Sequence, residues 1–301
     1  MAALGAVAGH GYACVMDFFA RRQTVLLDGA LGTALMDRGL PQGVPPELWV
    51  LQRPDVVTEV HAEHVAAGAQ AVLTCTLNAH PGSLRPQGLH TFCGEIRRQA
   101  VACARRAGPS VVLGVVGPLT PGTPARVVEA LAEAAAYDLA HAGVDALVLE
   151  TVTNLEEGAA RVRGALSTGL PVVVTVVPGT PAARDGAVAA EALLAAGARV
   201  VGVNCAVPAE CAPVLAAMRR AGATRLWAKP SAGLPGALLD PRAFAEQTAA
   251  LLEHGVGWVG GCCGASTAHL AALSQTLLSQ GGLSSGEADS PAGAGQEWQR
   301  G

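Results

Sequence analysis

The chain has 301 residues and a formal net charge of −4, without the basic excess that tracks a nucleic-acid backbone. Half of its residues are hydrophobic but only 3% are aromatic, so Ala, Val, Leu and Gly must fill most of any core. No apolar run reaches the roughly 18 residues that cross a bilayer. The pair Arg21-Arg22 follows the first apolar stretch instead of preceding it, the wrong order for a secretory leader. These features predict a soluble cytoplasmic protein with no nucleic-acid and no membrane partner. The eight cysteines then read as free thiols, not as the dense framework of a small secreted domain. Nothing in the composition excludes a homo-oligomer.

In chain order, an N-terminal extension over 1–20 leads into a regular alternation of short β-branched runs and long Ala-rich amphipathic stretches. The run Thr24–Leu27 comes first, followed by the helical pattern Pro54–Ala67. Ala71–Thr74 precedes Cys93–Ala107, and Val111–Val115 precedes Pro124–Ala142. Ala146–Leu149 leads to Asn154–Leu166, Val172–Val176 to Ala187–Ala196, and Val200–Val203 to Ala209–Ala221. Arg225–Ala228 precedes Pro241–His254, and Gly257–Gly260 is the eighth run. Near-continuous apolar runs are strands buried on both faces, as in parallel sheets. Eight strand–helix repeats predict one α/β domain over 21–279, a closed (β/α)₈ TIM barrel, a fold of about 250 residues. Gly68, Gly143, Gly197 and Gly255 each read as a helix stop just ahead of the next strand. Residues 280–301 are Gly, Ser, Ala, Glu and Gln without periodicity and are predicted to be a disordered tail.

Barrel chemistry sits at the C-terminal ends of the strands. The first strand is followed by Asp28-Gly29-Ala30-Leu31-Gly32-Thr33, and the fourth by Glu150-Thr151. Asn204-Cys205 follows the sixth strand, Lys229-Pro230-Ser231-Ala232-Gly233 the seventh, and Gly260-Gly261-Cys262-Cys263-Gly264 the eighth. Buried core thiols are the ordinary reading of any one cysteine. Two adjacent cysteines between glycine pairs, with a third at another strand end, point instead to a three-thiolate zinc site with an open fourth position.

These motifs resemble the homocysteine S-methyltransferase family. The resemblance is carried by Leu27–Thr33, Glu150-Thr151, Val201–Cys205 and Gly260–Gly264, and it runs over about residues 23–278. It implies Cys205, Cys262 and Cys263 as ligands of one Zn²⁺. It implies that Asp28 and Glu150 are the catalytic pair facing the substrate ammonium. It places Gly29 and Ala30, whose amides would meet the carboxylate, and Asn204 among the substrate-binding residues. The implied reaction converts homocysteine, held as a zinc thiolate, to methionine. Its second small-molecule substrate is a methyl donor: S-methylmethionine, S-adenosylmethionine, betaine or a corrinoid. A selenol or another thiol acceptor is the alternative, and a non-catalytic zinc-binding barrel is the alternative from a different class. Three positions depart from the family pattern: Cys75 stands where Asn is usual, Leu77 where an aromatic is usual, and Ser231 where Asn is usual. The departures at Cys75 and Ser231 bear on the donor pocket. The helix carrying His61 and His64 is expected to keep both on the surface or between helices. Residues 179–186 are expected to form a loop that closes over the substrate.

Overall fold

The computed structural model describes residues 18–19, 23–234 (of Leu234 the backbone alone) and 236–283. The expected extension and tail therefore lie largely outside the described residues. Eight strands make one parallel sheet: β1 Val25–Leu26, β2 Ala71–Leu73, β3 Val111–Val115, β4 Ala146–Val152, β5 Val172–Val176, β6 Val200–Asn204, β7 Leu226–Lys229 and, after a small hairpin, β10 Val256–Val259. The hairpin strands are β8 Gly233–Leu234 and β9 Ala237–Leu238. The sheet order is β1-β10-β7-β6-β5-β4-β3-β2, and a parallel bridge from Leu27 to Ala71 joins its two ends into a ring. The (β/α)₈ barrel read from the alternation is the fold observed.

Alternation along each strand divides the core in two. Val111, Leu113, Val115, Val148 and Val173 point into the barrel, whereas Val112, Val116, Val172, Val174 and Val176 meet the surrounding helices. Few aromatics are present, and four of them share the cluster inside the barrel. Trp227 and Trp258 fill the barrel interior, and Phe18 and Phe19 stack against Trp258 with ring centroids at 6.2 and 5.4 Å. At about 25 cal/mol per Å² and ~150–250 Å² per ring, each buried aromatic contributes on the order of 4–6 kcal/mol.

The outer layer holds the predicted helices within one or two residues, among them α3 Pro54–Ala66, α6 Ala125–Ala142 and α7 Leu155–Ala165 (α1 Leu31–Asp37 and α2 Glu47–Gln52 precede them), except that the stretch expected over Pro241–His254 is α-helical to Ala250 and then a 3₁₀ turn over Leu251–His254. The four expected stops all have positive φ: Gly68 at 108°, Gly143 at 92°, Gly197 at 110° and Gly255 at 86°. Helices α1 and α2, the hairpin and the closing helix over Thr267–Ser279 escape the sequence reading. The first two and the hairpin are too short for a periodic signal.

Residues 179–186 form a 3₁₀ turn over Pro181–Ala183 with Ala182 and Ala183 buried, and Asp185 caps the next helix through Ala187 N–H and Val188 N–H. That is an ordered, capped connection whose residues are not among those lining the pocket at the barrel mouth. Among the described residues no helix is long and apolar enough to cross a membrane.

Candidate metal centre and substrate pocket

A pocket of about 230 Å³, open to solvent, occupies the C-terminal mouth of the barrel. Cys205, Cys262 and Cys263 form one wall, Asp28 and Glu150 the floor, and Leu31, Met36, Leu73, Leu77 and Val115 an apolar side.

The three sulfurs all lie within 4.8 Å of one another. Cys262 and Cys263 Sγ are 3.9 Å apart, and Cys205 and Cys262 Sγ 2.9 Å. Neighbouring residues on a strand would point oppositely, so β10 has to end first. Cys262 N–H donates to Pro230 O at 2.7 Å and Ala265 N–H to Cys262 O at 2.9 Å, which closes a turn. Gly264 ends it at φ +74°, where a Cβ would also meet Leu238 Cδ2 at 2.6 Å. Ala232 N–H and the Ser231 hydroxyl both donate to Cys263 O, at 2.9 and 2.8 Å. Ser231 is therefore a buttress behind the cysteine turn. It does not line the pocket, so its departure from Asn changes the support of a thiol and not the pocket wall.

Cys205 and Thr151 are the non-glycine residues with positive φ among the described residues, at 62° and 64°. A β-branched residue there is a strained outlier. Asn204 holds both in place. Its Oδ1 accepts from Thr151 N–H (3.2 Å) and Thr175 Oγ1 (2.9 Å), and its Nδ2 donates to Thr151 Oγ1 (3.0 Å) and Cys205 Sγ (3.2 Å). Every hydrogen-bonding position of this fully buried amide is occupied within the protein. Asn204 is a bracket between two strand ends, and its amide reaches the site through Cys205 Sγ.

Hydrogen bonds from Cys205 and then from Cys262 hold Cys263 down to about 3, while the hydrogen bond with Cys205, the one with Cys263 and burial push Cys262 up. A tetrahedral zinc with bonds of about 2.3 Å sets its sulfurs roughly 3.8 Å apart. The Cys262–Cys263 spacing matches that value, and the Cys205–Cys262 pair would open by roughly an ångström. A trio of soft, ionisable sulfurs with one pocket-facing side free fits zinc.

Glu150 is buried on the floor, and its Oε1 has no hydrogen-bond partner among the described residues. Burial raises its carboxyl above the usual range, and Lys229 opposes that rise. Its carbonyl accepts from Arg161 Nη1 at 2.9 Å, which pins the end of β4. Asp28 differs. Its Oδ1 lies 2.5 Å from Lys229 Nζ and its Oδ2 accepts from Leu73 N–H at 2.8 Å. Of the turn after β1, Gly29 and Ala30 line the pocket as expected, but Ala30 N–H already donates to Ala265 O at 3.0 Å and is not available to a carboxylate. At Gly29 a Cβ would meet that same carbonyl at 2.9 Å, so only glycine fits.

Glu47 carried no assignment in the sequence. At the start of α2, it accepts from Asn78 N–H at 2.6 Å and Nδ2 at 3.4 Å, and so ties the loop after β2 to the pocket rim. Cys75 lines the pocket as a buried thiol pushed well above its usual range by burial and then by Glu47, and it stands apart from the three-sulfur group. His61 and His64 are buried behind Asp28, so of the two positions expected for them the surface one is excluded. The helical pattern of α3 could have signalled this, because both histidines fall on its core-facing stripe with Val57 and Val60.

The family profile described as homocysteine S-methyltransferase matches residues 25–277. The chain is 30% identical over 294 residues to methionine synthase of Mycobacterium tuberculosis, an alignment covering 85% of this chain and 25% of that protein. It thus spans about a quarter of the length of that relative. It is 26% identical over 299 residues to betaine–homocysteine S-methyltransferase 1 of Danio rerio, covering 87% of this chain and 74% of that one. Among solved structures, the metallated form of the homocysteine methyltransferase MmuM from Escherichia coli superposes with a TM-score of 0.73 at 22% identity, over 87% of this chain and 99% of that one.

Proposed function

The chain belongs to the homocysteine S-methyltransferase family, and on that premise we propose that it is a zinc-dependent, cytoplasmic enzyme that methylates homocysteine to methionine. The observation that carries the reading is the meeting, in one pocket, of three clustered thiols and a buried carboxylate with an unpartnered oxygen. Cys205, Cys262 and Cys263 would hold the metal. Zinc bound there supplies a Lewis acid that favours the thiolate form of a substrate sulfur at neutral pH, where a free alkyl thiol is mostly protonated.

The rest is the work of the chain's own residues. Glu150 receives the ammonium of the amino acid, a charge-assisted contact worth about 1.5–3 kcal/mol. The Gly29–Thr33 turn bounds the opposite end of the substrate. Leu31, Met36, Leu73, Leu77 and Val115 keep water from the path of the incoming methyl group. Asn204 fixes the strained positions of Thr151 and Cys205, so that the sulfur and the carboxylate keep their separation. The methyl donor is a small molecule or a methyl-corrinoid.

The test is to incubate zinc-loaded protein with homocysteine and, in separate reactions, S-methylmethionine, S-adenosylmethionine, betaine and a methyl-corrinoid, and to measure methionine. Methionine from at least one donor, lost in Cys262→Ala, supports the reading. Protein that carries no zinc, or a Cys262→Ala variant with full activity, refutes it. Competition between homocysteine and selenocysteine in the same assay identifies the acceptor.

A further inference from the structure

Asp28 and Glu150 sit on one pocket floor but in different electrostatic settings. Lys229 Nζ reaches across the barrel from β7 to Asp28 Oδ1 at 2.5 Å, and both side chains are almost wholly buried, 5% and 1% exposed. The other oxygen of Asp28 is taken by Leu73 N–H. Behind Asp28, on α3, lie His61 and His64. Burial holds both below their ordinary value, His61 down to about 4, so both are uncharged at neutral pH. Lys229 is thus the cation that Asp28 meets. Glu150 forms no ion pair within 4 Å among the described residues. The charges that face it are Lys229 from β7, Asp28 from the turn after β1, Cys263 from the turn after β10, and Arg161 from α7.

We propose that Lys229 is a positioning residue that divides the labour of the two carboxylates: it closes Asp28 into an internal ion pair and leaves Glu150 as the carboxylate that receives the substrate ammonium. The inference rests on the reading of the pocket as a homocysteine site. With Lys229 present, Asp28 is neutralised inside the protein and Glu150 presents one negative charge to one ammonium. Without Lys229, two carboxylates share a desolvated floor with no buried cation between them, and like charges so placed raise one another's affinity for a proton. Ammonium binding would then require a higher pH.

The experiment measures, by calorimetry from pH 5 to 9, the binding of homocysteine and of its deaminated analogue to zinc-loaded protein. Wild type prefers homocysteine, and Glu150→Gln loses about tenfold or more of that preference. The paired substitution Asp28→Asn with Lys229→Met removes the ion pair as a unit and keeps the preference, whatever it does to the rate. Lys229→Met alone moves the acid limb of homocysteine affinity upward by about one pH unit or more with zinc content unchanged, and Lys229→Arg restores the limb. A limb that stays in place in Lys229→Met, or a preference lost in the paired variant and kept in Glu150→Gln, overturns the inference alone. Wild-type protein that binds neither thiol overturns the reading of the pocket and the inference with it.

Discussion

Two corners of the same pocket are built by different means. At the thiol corner the backbone does the aiming: a turn closed by Pro230 O and Ala265 N–H, Gly264 at φ +74° and Cys205 at φ +62° turn three sulfurs toward one point. At the carboxylate corner side chains do it: Asp28 with Lys229, 201 residues apart, and Glu47 with Asn78, 31 apart. Backbone geometry is local and writes itself into consecutive residues. Side-chain pairing depends on which strand ends the fold brings together.

The largest effect is expected at the thiol corner. Cys262→Ala removes one of three ligands; zinc content falls toward zero and methionine formation by about a thousandfold or more. At the other corner Glu150→Gln leaves zinc in place and raises the KM for homocysteine by roughly 10- to 100-fold, read by steady-state kinetics beside metal analysis. Equal loss of metal in both variants would erase the distinction between the corners. Asn204→Ala strips the bracket common to both and leaves buried partners unpaired, at a cost of about 2–4 kcal/mol in a denaturant titration.

The histidines behind Asp28 sharpen the picture through pH. In the unfolded chain His61 takes a proton near 6.5, but in the fold burial defers that to about 4. Between those values the unfolded state binds more protons, so stability falls as pH falls, by on the order of 3 kcal/mol. Thermal unfolding of His61→Leu should lose that part of the pH dependence. The smallest effect expected is for Gly264→Ala, where positive φ costs about 1–2 kcal/mol and lowers the melting temperature by a few degrees.

Much of the barrel was legible because its period is strong. Val111–Val115 and Val172–Val176 appear in the structure with the bounds read from their β-branched runs. The thiol corner was legible because Gly260–Gly264 is contiguous. The carboxylate corner was half legible. Asp28 and Glu150 could be named as residues, but the partner of Asp28 could not: Lys229 is the one lysine of the chain, yet nothing in its neighbours says that the closed barrel turns it onto a carboxylate 201 residues away. Ser231 and Asn204 show the same limit from the other side. Both face the site in sequence, and in the structure their polar atoms are consumed in holding Cys263 and Cys205. Whether a polar side chain presents itself to a ligand or to its own backbone is decided by neighbours that no local pattern encodes.

The central claim is that the three clustered thiols hold a zinc that takes the substrate sulfur as its next ligand. Zinc K-edge absorption of the loaded protein, recorded without and with homocysteine, tests it directly. The account predicts about three sulfur neighbours rising to four on addition of the substrate. Fewer than three at the start, or a count unchanged by homocysteine, would contradict it.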